Sequence, residues 1–99
     1  MKQIVFEQPV VKQDISNKEV YTHIFKGNNF SSNRIRIKDW NKNCSCTGIE
    51  YPEVINPGPF EVKMNIDKRG LTGLFLSKAV INFSNNEQVE LKINGKITD

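Results

Sequence analysis

From Phe60 to Asp67 the chain alternates without a break. Phe60, Val62, Met64 and Ile66 are apolar; Glu61, Lys63, Asn65 and Asp67 are polar. A β-strand puts residues i and i+2 on one face, so this run predicts a strand with one buried side. Arg34-Ile35-Arg36-Ile37-Lys38 repeats the pattern, with two isoleucines toward a core and three cations toward water. Glu19 to Lys26 sorts Val20, Thr22 and Ile24 onto one face and Tyr21, His23 and Phe25 onto the other. Val89, Leu91, Ile93, Gly95 and Ile97 close the chain with the same period. No stretch sustains a helical period, so the expected fold class is all-β.

The remaining segments fit between these strands. Ile4-Val5-Phe6 starts a strand, Pro9 breaks it and Val10-Val11 resumes it, which reads as an edge strand in two pieces. Asp14-Ile15-Ser16-Asn17 reads as a turn, and Gly27-Asn28-Asn29 with Ser31-Ser32-Asn33 as a polar connection around Phe30. Trp40 is out of phase with Ile37, so a buried Trp40 requires the strand to end or bulge near Asp39. Gly48, Pro52 and Asn56-Pro57-Gly58-Pro59 are turn signals, as is Lys68-Arg69-Gly70. Gly73 to Phe83 is apolar on both parities, which predicts a central strand buried on both sides or one bulged at Ser77-Lys78. Ser84-Asn85-Asn86-Glu87 is a hairpin loop. Asn94-Gly95 is a two-residue hairpin signal, but too few residues follow for a return strand. Gly95 therefore reads as a strand glycine that another backbone approaches closely. The count is about seven short strands with regular turns, a single immunoglobulin-like β-sandwich over residues 1–99.

Composition bounds the function. Ninety-nine residues make one domain, and a domain of this size buries roughly 60–70% of its unfolded surface, enough for one core. The net charge of +3 is a mild bias, and nucleic-acid binders concentrate far more cation on one face. No segment approaches the ~20 apolar residues of a membrane span. Met1 to Phe6 has no long apolar run and no small-residue cleavage site, so it does not read as a signal peptide. Three glycosylation-type triplets, at Asn29, Asn43 and Asn82, carry no weight in a chain rich in Asn and Ser.

In order along the chain come His23-x-Phe25, Asn29, Ile35-x-Ile37, Cys44-Ser45-Cys46-Thr47, Ile55-Asn56-Pro57-Gly58, Gly73-Leu74-Phe75, Ser84-Asn85 and Leu91-Lys92-Ile93-Asn94-Gly95. This succession resembles a bacterial domain family of unknown function, family 1573, frequent in Bacteroidetes and marked by a Cys-Gly-Cys-Thr motif. Ser45 stands where the family has Gly, and Phe30-Ser31 follows Asn29 where the family has Thr-Gly. The resemblance implies a sandwich related to Hydin-type and major-sperm-protein-type domains. It also implies a periplasmic or outer-membrane-associated location, with lipoprotein among the possibilities, and no known catalytic activity.

Cys44, Cys46 and Thr47 are the candidate site. In an extended strand the two cysteine Cα atoms would stand ~6.6 Å apart, at ~3.3 Å per residue. That is near the upper limit for a disulfide. A bridge would need a bent backbone and would constrain little of the unfolded chain. The favoured reading is two small, partly buried thiols at a sheet corner. The alternative is a thiol-redox or metal-binding module centred on the pair, with His23 and a carboxylate such as Glu50 or Glu53 completing a zinc set. A Cys–His nucleophilic pair has no supporting signature around it. Arg34, Arg36, Lys38 and Lys42, with Tyr21, Phe30 or Trp40, make a stacking nucleic-acid surface only if their solvent-facing reading fails. The expectation is a non-catalytic interaction or accessory module with no cofactor, no metal and no nucleic-acid partner. Its protein partner would be taken by β-augmentation at a strand edge, or by the loop aromatics Phe30, Tyr51 and Phe60.

Overall fold

The structure is a computed structural model and describes residues 2–16, 20–44, 46–67 and 73–98. Nine strands run in chain order: β1 (Ile4–Phe6), β2 (Val10–Lys12), β3 (Ile15–Ser16), β4 (Val20–Asn29), β5 (Ile37–Lys42), β6 (Thr47–Glu50), β7 (Gly58–Asp67), β8 (Gly73–Phe83) and β9 (Gln88–Thr98). They form two sheets. The first has the order β1-β4-β7-β6, and the second β2-β9-β8-β5 with β3 also on β9. All pairings are antiparallel except those of β2 and β3 with β9, which are parallel. This is an immunoglobulin-like sandwich, with nine strands among the described residues instead of about seven.

The alternating runs bury the faces their spacing demands. Val62, Met64 and Ile66 of β7 meet Ala79, Ile81 and Phe83 of β8 and Leu91 and Ile93 of β9 in one core cluster, each fully buried. Each large side chain so placed contributes roughly 1.5–3 kcal/mol of transfer free energy. Phe25, Ile4, Phe6, Ile35 and Ile55 complete the cluster.

Several local expectations hold. Pro9 does divide the first strand, and the two pieces lie in different sheets: β1 pairs β4, and β2 pairs β9. The β5–β8 register shifts between Ile37 and Asp39, and Trp40 then packs against the core. One extra residue restores the phase of Trp40. At Gly95 a Cβ would lie 2.0 Å from the carbonyl oxygen of Gln13, so the crossing backbone admits only glycine.

Other expectations are corrected. Ile15–Ser16 is a strand, because β9 offers it a parallel edge and Ile15 reaches the core. Asn17 and the turn at Lys68-Arg69-Gly70 lie outside the described residues. Gly27-Asn28-Asn29 continues β4 opposite Phe60-Pro59-Gly58; a Cβ at Gly27 would stand 2.7 Å from the tip of the Phe60 ring, so glycine leaves that ring its place. Ile35 is not in a strand with Ile37 but forms an isolated bridge with Ile55. Gly48, read as a turn, lies inside β6. β8 runs in unbroken register with β9 through Ser77 and Lys78, so it has no bulge. It is buried on one face only, with Leu74 and Leu76 outward and exposed.

Candidate functional site

β5 ends at Lys42 and β6 begins at Thr47, so Cys44 and Cys46 occupy the corner where the chain passes from the second sheet to the first. Asn43 prolongs the pairing of β5 with β8. Its N–H donates to the Lys78 carbonyl, its Oδ1 accepts from the Lys78 N–H at 2.8 Å, and its Nδ2 donates to the Leu76 carbonyl at 3.0 Å. The Thr47 N–H donates to the Cys44 carbonyl at 3.1 Å, and the Asp67 N–H to the Cys46 carbonyl at 2.8 Å.

The sulfurs of Cys44 and Cys46 are joined as a disulfide, with Cα atoms 5.2 Å apart. The expectation of two free thiols is therefore corrected. A corner whose Cα atoms approach more closely than in an extended strand brings both sulfurs within bonding reach. Both cysteines are half-buried, and the Cys46 N–H donates to the Cys44 sulfur at 3.1 Å. Thr47 is buried behind them. Its hydroxyl pairs with that of Ser77 on β8, whose Oγ also lies 3.8 Å from the Met64 sulfur. Thr47 thus links the corner to both sheets.

The other candidate residues are dispersed. His23 lies on β4 opposite Met64, its ring 4.7 Å from that of Phe25, and β7 stands between it and β6. Desolvation by burial holds the His23 pKa below its ordinary value. Among the described residues no three His, Cys, Asp or Glu side chains cluster closely enough to hold a metal. Sulfurs joined to each other are also not thiolate ligands. Glu53 instead faces Arg36 at 4.0 Å in an exposed ion pair. Arg34, Arg36 and Lys38 are all solvent-facing, and Lys42 lies 5.7 Å above the Trp40 ring.

The three aromatics read as loop residues separate clearly, and Phe60 lies in β7 instead of a loop. Phe60 is half-buried against Phe6, edge to face at 5.4 Å. Phe30 is 68% exposed. It walls a groove of about 780 Å³ lined also by the apolar Val5, Val54 and Pro59 and the charged Lys26 and Glu61. Tyr51 is exposed on the neighbouring loop.

One feature had only a partial signal in the sequence, the proline at position 9. β1 pairs β4 only at Gly27, Asn28 and Asn29, and the Glu7 N–H adds one bond to the Lys26 carbonyl. Beyond Pro9 the chain belongs to the other sheet. Among the described residues no strand pairs β4 from Tyr21 to Phe25 on the side away from β7. The bonds to Lys26 and Phe30 set the phase of this edge. Thr22 and Ile24 share it, so their N–H and C=O groups point to the open side. A cleft of about 260 Å³ between Glu7, Gln8, His23 and Phe25 lies along it.

The two facing sheets, their order and the parallel start on β9 define the immunoglobulin-like class of sandwich. The chain belongs to a family described as proteins of unknown function, DUF1573, which matches residues 4–97. No curated protein matches it. Among solved structures it is similar to a protein of unknown function from Porphyromonas gingivalis W83, with a TM-score of 0.80 and 9% identity. That match covers 94% of this chain and 46% of the other. A GH5 xyloglucanase from Bacteroides ovatus, solved with a XXXG heptasaccharide, aligns with a TM-score of 0.65 at 6% identity over 97% of this chain and 19% of that one. The VesB protease of Vibrio cholerae aligns with a TM-score of 0.66 at 10% identity, over 95% of this chain and 32% of that one. The chain thus spans less than half the length of each of these proteins, and at such identities the likeness is one of fold.

Proposed function

We propose that this chain is a non-catalytic interaction module of the bacterial cell envelope, periplasmic or outer-membrane-associated, that takes a partner protein by strand addition. The observation that carries the reading is the edge of β4 from Tyr21 to Phe25, which no strand among the described residues pairs. An extended partner segment lying in line with β1 gains main-chain hydrogen bonds at Thr22 and Ile24, and alternate side chains meet Phe25, His23 and Tyr21. Support for the compartment comes from the Cys44–Cys46 disulfide, because such bonds persist in oxidising surroundings. The partial overlap with longer proteins accords with a module that works beside other domains.

The test is site-specific photo-crosslinking from position 24 in the envelope fraction of the native host. The comparison is with Ile24→Pro, which removes the edge N–H without touching the bonds to β7. A discrete partner that is crosslinked, and that the folded proline variant no longer binds, is the expected result. Retention of the same partner by Ile24→Pro would show that the edge is not the binding site.

A thiol-redox role keeps one observation in its favour: the bonded sulfurs are half-exposed at a corner. A disulfide that resists a stoichiometric dithiol under native conditions would remove that reading.

A further inference from the structure

The outer face of the second sheet has a composition unlike that of the first. Strand parity and register place its residues in three rows across β8, β9 and β2. The first row reads Lys78, Lys92, Val10; the second Leu76, Asn94, Lys12; the third Leu74, Lys96. Four cations and three apolar side chains therefore share one small field. Leu74 is 86% exposed and Leu76 47%. The carboxylates nearby lie at the margins. Glu90, one row out, is ion-paired to Lys92 at 2.9 Å, and Asp14 accepts the Lys96 N–H at 3.0 Å. Glu90 itself is held below the usual carboxylate range, first by its hydrogen bond from Lys92 and then, against some desolvation, by the charges of Lys92 and Lys78. On the outer face of the first sheet, Lys26 and Lys63 are interleaved with Glu7, Glu50 and Glu61. Four lysines thus stand beside the exposed Leu74 and Leu76, with the nearby carboxylates at the margin.

We propose that this field rests on an anionic phospholipid surface, with Leu74 and Leu76 entering the interfacial layer and Lys12, Lys78, Lys92 and Lys96 meeting phosphates. Charge complementarity names the partner, and the pattern decides between a lipid and a protein. A protein interface sorts its residues into an apolar centre and a polar rim and is depleted in lysine. Here each row mixes lysine or asparagine with an apolar side chain. That matches a headgroup layer, where phosphate and acyl chain lie side by side. The field is separate from the β4 edge, so either reading can fail without the other.

The experiment is co-sedimentation of the folded chain with vesicles of phosphatidylcholine alone, or with about one-third phosphatidylglycerol, across a salt series. Binding to the anionic vesicles only, weakening as salt rises, is expected. Lys78→Glu/Lys96→Glu should weaken it by at least about 25-fold, at roughly fivefold per lysine, and Leu74→Asn/Leu76→Asn by about tenfold or more. All four positions are on the solvent side of the sheet, and circular dichroism checks that each variant folds. No binding to anionic vesicles, equal binding to phosphatidylcholine, or binding unchanged in both variants overturns the proposal. Capture of a polyglutamate peptide without vesicle binding overturns it too and assigns the face to an acidic protein.

Discussion

Two of the crossings between the sheets are held in opposite ways. The first runs from β4 to β5. There the buried side chain of Asn29 donates to the carbonyls of Asn33 (2.9 Å) and Ile55 (3.2 Å) and accepts from the N–H and hydroxyl of Ser31 (3.0 and 2.7 Å). One amide saturates its hydrogen-bonding capacity and joins the crossing to a segment 26 residues away, beside the Ile35–Ile55 bridge. The second crossing, from β5 to β6, carries a covalent bond, but it joins residues only two apart. Its ties to distant strands are the Thr47–Ser77 hydroxyl pair, the bonds of Asn43 to β8 and the bond from the Asp67 N–H of β7 to the Cys46 carbonyl. Bond strength is thus a poor guide to structural weight. A tie stabilises by the amount of chain it organises, and the weak bonds of Asn29 organise more than the strong bond of Cys44–Cys46.

The largest expected effect follows from removing the amide. Asn29→Ala removes all four hydrogen bonds of the amide and leaves the buried Ser31 N–H without its acceptor; it should cost about 3 kcal/mol, read as a lowered urea midpoint at unchanged slope. A cost under ~1 kcal/mol would mean that packing of Ile35 on Ile55, not the amide, secures the crossing. The double variant Cys44→Ser/Cys46→Ser comes next. A loop this short restricts the unfolded chain little, so the loss should be about 1.5 kcal/mol or less. If it equalled the loss from Asn29→Ala, the contrast between the crossings would collapse. The smallest effect sharpens the first crossing from its wet side. Arg36 and Glu53 join nearly the same two segments as the amide but are 65% and 89% exposed. Arg36→Ala should change stability by less than about 0.5 kcal/mol in the same unfolding experiment.

Much of the fold was legible because it rests on local rules. Trp40 out of phase with Ile37 required an irregularity, and the register shift lies between Ile37 and Asp39. Gly95 in an apolar run implied a close backbone, and the Gln13 carbonyl is that backbone. Other features depend on neighbours distant in sequence. Leu74 and Leu76 looked buried because β8 is apolar on both parities. The outer face of the second sheet, however, is covered by no further layer among the described residues, and Leu74 and Leu76 stay exposed on it. Asn29 looked like loop, since nothing local announces that Ile55 will present a carbonyl to it. The cysteine pair was visible as a motif, but its bonding was not. In an extended strand the sulfurs are poorly placed to join, and the corner that brings them together exists only where one sheet hands the chain to the other.

The sequence by itself determined the strand period, the hairpin loop at residues 84–87, the break at Pro9, the need for glycine at position 95 and the family. Each follows from backbone sterics or from side chains a few residues apart. The tertiary structure decided which sheet each strand joins, that Ile15–Ser16 pairs at all, that no described strand pairs β4 from Tyr21 to Phe25 on the side away from β7, and that Leu74 faces water. Those outcomes depend on hydrogen-bond partners supplied by strands far along the chain, and a two-residue period carries no record of which partner will be there.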